Sequence, residues 1–202
     1  MGNKVSKIMI IILGIIIVCM VCVLTFEFIS AANSPTGVVK GYLKAIQSGD
    51  DAKIAKYYEG NSINDMVESE ASIVGDAIKD KIKEFEFEIT DEVIDESGNK
   101  ATVTVDIRTY KIGMAFANSF VEYLNDMSKE DADPDNIKSV EERIGEALSE
   151  VEFGYEATVP ITLTKIDDKW IVDSFEEKGK FMDALSGGMY GYLSQLNSML
   201  RL

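Results

Sequence analysis

From Ile8 to Phe26 the chain runs nineteen residues without a charge, with Lys4 and Lys7 before the run and Glu27 after it. As a helix, that run rises about 28 Å, close to the thickness of the hydrocarbon core of a bilayer. The segment therefore reads as a single membrane anchor, and the two lysines keep its N-terminal tip in the cytoplasm. A cleaved export signal is the alternative. Ser30-Ala31-Ala32 offers small residues for cleavage near Ala32, although the apolar core of such signals usually spans only about 7 to 15 residues. Cys19 and Cys22 follow Val18 and Val21, not the small residue that precedes a lipidated cysteine, so lipidation is the weaker reading. Residues 1–33 are thus a cytoplasmic tip, anchor or signal, and short linker. Residues 34–202 have the length of one extracytoplasmic domain.

Both cysteines lie within the apolar run, so packing alone must hold the domain together on the oxidising side of the membrane. Charge narrows its partners. The domain holds 18 of the 20 basic and 34 of the 35 acidic residues, a net charge of −16. Such a field repels nucleic acid and anionic lipid, and its simplest role is solubility. Histidine is absent, which removes the usual base near neutral pH and the commonest zinc ligand.

The spacing predicts a helix opening at Ser34-Pro35, a capping residue followed by a first-turn proline, with Val38, Val39, Tyr42, Leu43 and Ile46 on one face. Ser48-Gly49-Asp50 ends it and starts a second helix bearing Ile54, Tyr57 and Tyr58. A longer helical pattern runs from Ile63 to about Lys83. At Glu84 the period changes from helical to two. Phe85, Phe87 and Ile89 alternate with glutamates, and beyond the Glu96-Ser97-Gly98-Asn99 turn Val103, Val105 and Ile107 alternate with Thr104, Asp106 and Arg108. Ala157, Val159, Ile161 and Leu163 form a third strand, and Trp170 and Val172 a fourth beyond the Asp167-Asp168 turn. The expectation is an α+β fold: N-terminal helices packed on one face of a curved antiparallel sheet of about four strands. Pro160 requires a bulge or an edge in its strand.

Two stretches resemble the bacterial exported domains of the nuclear transport factor 2-like superfamily, many of them lipoproteins. One is Ser34-Pro35-Thr36-Gly37-Val38-Val39 through Tyr42-Leu43 to Ser48-Gly49-Asp50, and the other is Thr162-Leu163-Thr164-Lys165-Ile166-Asp167-Asp168-Lys169-Trp170-Ile171-Val172-Asp173. The matching motifs set helix ends and place a tryptophan to seal the cone between helices and sheet. The resemblance implies a fold and no reaction. The chain departs from the pattern in Asp168, where relatives often carry glycine, and in about forty residues, 111–150, inserted between strands.

That insertion reads as a helical hairpin. One arm carries Met114, Phe116, Ala117, Phe120, Val121 and Leu124, and the other Ile137, Val140, Ile144, Ala147 and Leu148. Its loop holds the only metal-like spacing, with Asp131, Asp133, Asp135 and Glu142 at positions one, three, five and twelve of a calcium loop. Asn136 replaces the turn glycine, and Asp133-Pro134 reads better as a cap and first-turn proline, so no metal and no other cofactor is expected.

Catalysis finds little support. None of the inward strand positions, Phe85 and Phe87 through Trp170 and Val172, can take a proton, and Asp106, Arg108 and Tyr110 fall on the opposite face as a solvated cross-strand set. Tyr42, Tyr58 and Trp170 are the candidates for lining a pocket. After Gly187-Gly188 an apolar stripe, Met189, Tyr192, Leu196 and Met199, offers a partner surface or homodimer seam on a C-terminal helix. The expected function is a membrane-anchored, non-catalytic binding or assembly module. The alternative is a small-molecule-binding or isomerase-like cone, which requires an inward carboxylate within a pocket.

Overall fold

The computed structural model describes residues 33–58, 75–130, 133, 136–173 and 178–200, with no side-chain description for 75–77, 178 and 196–200. The anchor run, the first half of the pattern beginning at Ile63, and Asp131 and Asp135 lie outside the described residues. Among the described residues no helix is long and apolar enough to cross a membrane.

The opening helix, α1 (Pro35–Ser48), begins and ends where its punctuation dictates. The Ser34 hydroxyl accepts from the Gly37 amide at 3.0 Å, proline occupies the first turn, and Gly49 closes the helix at φ 63°, donating to the Ile46 carbonyl. Asp50 then caps α2 (Asp51–Ile54) by accepting from the Lys53 amide. After α3 (Gly75–Lys83) come β1 (Glu86–Ile94) and β2 (Lys100–Tyr110). The insertion follows as α4 (Ile112–Met127) and α5 (Val140–Ser149), then β3 (Phe153–Ile166), β4 (Lys169–Val172), α6 (Lys178–Leu185) and α7 (Met189–Leu200). The four strands form one antiparallel sheet in the order β1-β2-β3-β4.

Alternation puts Val103, Val105 and Ile107 of β2 and Val159, Ile161 and Leu163 of β3 beneath the helices, each at most 3% exposed. Val39, Tyr42, Leu43 and Ile46 of α1 and Ile78 and Ile82 of α3 join the same core. Each such side chain contributes about 1.5 to 3 kcal/mol by leaving water. At Pro160 the register with β2 is continuous, Thr104 to Pro160, and β4 pairs only with residues 163–166. Among the described residues, β3 therefore has a neighbour on one side only at Pro160, where a missing N–H breaks no ladder bond.

One register detail changes the reading of the sheet. The β1–β2 pairing shifts between Ile89 and Asp91, a bulge that sets Glu92 opposite the inward Val103 and Ile94 opposite Ala101. Glu92 is thus a carboxylate on the helix side, a position that strict alternation from Phe85 does not produce. It is exposed, and it accepts from the Thr36 amide at 2.8 Å, completing the first turn of α1 alongside Ser34.

Candidate functional site

The insertion leaves the sheet and returns through a narrow neck. The Lys111 amide donates to the Glu152 carbonyl at 2.9 Å, and the Lys111 ammonium pairs with the Glu152 carboxylate at 2.8 Å. Tyr110 meets Phe153 edge-on, with ring centroids 5.1 Å apart. From this neck α4 starts against a glycine contact. The Gly113 amide donates to the Gly187 carbonyl, and a Cβ on Gly113 would lie 2.4 Å from the Gly188 carbonyl carbon. Gly187 has φ 57°, and a Cβ there would lie 1.8 Å from the Tyr110 carbonyl oxygen. The Gly187-Gly188 pair is therefore the seat of α4, besides being a break in the C-terminal stripe.

From that seat α7 runs beside α4, with Phe116 and Tyr192 meeting edge-on at 6.0 Å. The start of α7 is capped from α6: Asp183 accepts from the Gly191 amide at 2.6 Å and from the Tyr155 hydroxyl at 3.1 Å, and Ser186 accepts from the Tyr190 amide. Burial, with the Asp183 charge second, pushes the Tyr155 phenol up. Met189, expected on a partner surface, is 5% exposed and belongs to the domain's own core, because the glycine seat turns it inward. Tyr192 is half-buried against Phe116, while the Leu196 and Met199 side chains lie outside the described residues.

The two arms of the hairpin meet through polar groups. Arg143 of α5 donates to Asp126 of α4, lies 3.7 Å from Glu122, and bonds the Lys138 carbonyl, with its side chain only 13% exposed. Lys129, and Arg143 after it, hold the Asp126 carboxyl below the usual carboxylate range. Between the arms lies an open groove of about 1070 Å³, lined by groups such as Asn118, Glu122, Lys129 and Glu146. Its cations are already paired: Lys129 with Asp126 and Lys138 with Glu146, each at 2.6 Å. Met114 and Ala115 of α4 stand on the wall of this groove, while Val121, Leu124 and Met127 are not among its lining residues. Met114, Val121, Leu124 and Met127 are 58%, 50%, 50% and 41% exposed.

Two of the four residues with metal-like spacing, Asp133 and Glu142, are among the described residues, and both are hydrogen-bonded. Glu142 accepts from the Ser139 amide at 3.0 Å while Ser139 accepts from the Glu142 amide, a reciprocal cap on α5 that occupies the carboxylate needed at position twelve. Asp133 accepts from the Asn136 side chain at 2.6 Å. Among the described residues no group of three or more potential ligands is positioned for a metal ion.

Of the pocket candidates, Tyr42 and Tyr58 are both buried with ring centroids 5.9 Å apart, and Phe181 stacks on Tyr42 at 6.1 Å. Burial, and the neighbouring Tyr58 after it, pushes the Tyr42 phenol far up. Tyr58 bridges to Val172, fastening the second helical segment to β4. Trp170 is half-buried against the same core, opposite Lys165, whose ammonium lies 5.9 Å from its ring. On the outer face Arg108 pairs with Glu86 at 3.3 Å and Glu156 at 3.6 Å, and Tyr110 donates to Glu84.

No protein-family model and no curated protein matches the chain. Among solved structures it is similar to ycdA of Bacillus subtilis, a provisionally named lipoprotein, at 14% identity and a TM-score of 0.47. The match covers 74% of this chain and 54% of that one, so the chain spans about half the length of that protein.

Proposed function

We propose that this protein is a membrane-anchored, non-catalytic binding or assembly module of nuclear transport factor 2-like type, working outside the cytoplasmic membrane, and that α4 is its docking helix. The observation that supports the reading is the apolar stripe of α4 that stays exposed although Ile112, Ile144 and Leu148 of the same hairpin are buried. An isolated helical pair buries its apolar stripes and solvates its charges. Here Arg143, Asp126 and Glu122 meet between the arms, while Met114, Val121 and Leu124 stand in water. An apolar stripe at this helical spacing fits the groove of a partner protein. The anchor rests on the uncharged run from Ile8 to Phe26. The cone alternative requires an inward carboxylate in a pocket, and the one on the described strands, Glu92, is exposed and bonded to Thr36.

The test is a photo-crosslinking residue placed at Leu124 of the full-length protein in its own membrane, with the same residue at the exposed Lys44 as control. The expected result is a discrete protein adduct from position 124 that disappears when Val121 is changed to Asp. Equal labelling from both positions sinks the reading. Mass measurement of the membrane-extracted chain tests the anchor, since a start at Asn33 means cleavage.

A further inference from the structure

We infer that the open edge of β1 takes up an extended, basic peptide as a fifth strand. The inference is independent of α4, which lies on the insertion.

β1 closes one side of the sheet order, and its backbone has β2 on one side only. Every residue from Thr90 to Ser97 is exposed, so among the described residues nothing covers this edge. A long exposed edge offers unpaired N–H and C=O groups to any extended chain. The side chains then decide which chain fits. From Glu84 to Ser97 the sequence holds seven acidic residues and no basic one. Glu86, Glu88 and Asp91 lie opposite Arg108, Asp106 and Thr104 on the outer face, and only Glu86 has a basic partner there, Arg108. A second copy adding through β1 would set carboxylates against carboxylates, which is destabilising across strands. A strand with lysine or arginine on that face would pair with them instead.

The inner face supplies a second, apolar requirement. Phe87 and Ile89 pack against the core yet remain half-exposed at the edge, and Ile94, returned to the inner face by the bulge, is 47% exposed. A neighbouring strand would cover them with alternate apolar side chains. Edge and charge together therefore specify a peptide alternating basic and apolar residues.

The probe is a synthetic eight-residue peptide alternating lysine and valine, titrated into the full chain in detergent, followed by fluorescence anisotropy and by amide shifts. A peptide of equal charge with proline at alternate apolar positions cannot form the ladder and serves as control. The expected result is binding that shifts β1 amides, weakens at least tenfold in E88K/D91K, and exceeds binding of the proline peptide at least tenfold. Glu88 and Asp91 are exposed, and retention of the wild-type amide pattern elsewhere shows that the variant folds. Absence of binding, equal binding of both peptides, or shifts confined to α4 would each overturn the inference. Loss of the crosslink from Leu124 with β1 binding intact separates this edge from the α4 reading.

Discussion

The two halves of the molecule join their elements through different kinds of side chain. Between α1 and the sheet the packing is mainly apolar, with Leu43, Val103 and Ile161 at 0% exposure, and polar contacts are confined to the ends, where Thr36 meets Glu92 and Gln47 donates to the Phe85 carbonyl. Between α4 and α5 the ion-pairing groups are Arg143, Asp126 and Glu122, and Met114, Val121, Leu124 and Met127 of α4 are left exposed while Ile112 and Phe116 turn to the core. A core of the first kind is stable by area alone, whereas ion pairs at a partly solvated seam add little. The sheet layer thus rests on apolar burial, completed by Ile112, Ile144 and Leu148 of the insertion, while the seam between the arms rests on ion pairs.

The junction between the halves should be the most sensitive point. Gly187→Ala combines a left-handed backbone with a Cβ driven into the Tyr110 carbonyl, so a loss of about 3 to 5 kcal/mol is expected. Urea unfolding checks it, and a loss below about 1 kcal/mol would mean that the glycine seat is not held in solution.

Next comes the contrast between core and stripe. Ile161→Ala should cost about 2 to 5 kcal/mol, whereas Leu124→Ala, at half exposure, should stay within about 0.5 kcal/mol. Equal losses would mean that the stripe is already covered within the domain.

pH should separate the halves as well. Asp126 is held down by Lys129 and Arg143, and Glu152 by Lys111, so both carboxyls have folded values below their unfolded ones. Their contribution is present above about pH 4 and is lost as pH falls below it, loosening the insertion first. Tyr42 and Tyr58 are raised by burial, so their contribution holds below about pH 10 and is lost as pH rises past it, attacking the core. Hydrogen exchange of α5 amides in acid and tyrosine absorbance in alkali distinguish the two. Loss of both halves together at either extreme would erase the distinction.

The smallest effect is a gain. Asp167 and Asp168 both have positive φ, 48° and 62°, in the two-residue turn between β3 and β4. Asp168→Gly should stabilise by about 1 kcal/mol, visible as a higher unfolding midpoint.

Much of the fold was legible because periodicity reports burial directly. The inward rows of β2 and β3 and the caps at Ser34 and Asp50 stand where the alternation and the capping residues put them. What periodicity missed arose where the backbone departs from ideal. The bulge after Ile89 reverses the faces of Glu92 and Ile94, and no residue type at Thr90 announces it. The sequence reading puts a cap at Asp133-Pro134, whereas α5 begins at Val140 and is capped by Ser139, and the serine three residues before Glu142 is the signal for it. For the site, the apolar content of α4 was plain, but which of its faces would be covered depends on where α7 and α5 lie, and that is set by long-range packing. Met189 shows the same limit, since its stripe pattern suits a seam and a core equally.

The neck at Lys111 and Glu152 has a kinetic consequence. β2 and β3, the central pair of the sheet, are neighbours in space but are separated in the chain by the whole insertion. Closing a loop of about forty residues instead of a tight turn of about four costs roughly 2 kcal/mol more in chain entropy. If α4 and α5 pair early, they bring the two strand ends together before the strands meet, so the hairpin acts as a folding clamp for the sheet. The insertion is nevertheless no detachable cassette, because Ile112, Ile144 and Leu148 belong to the domain's core, so a short turn joining Lys111 to Glu152 would shorten the loop at the cost of uncovering that core.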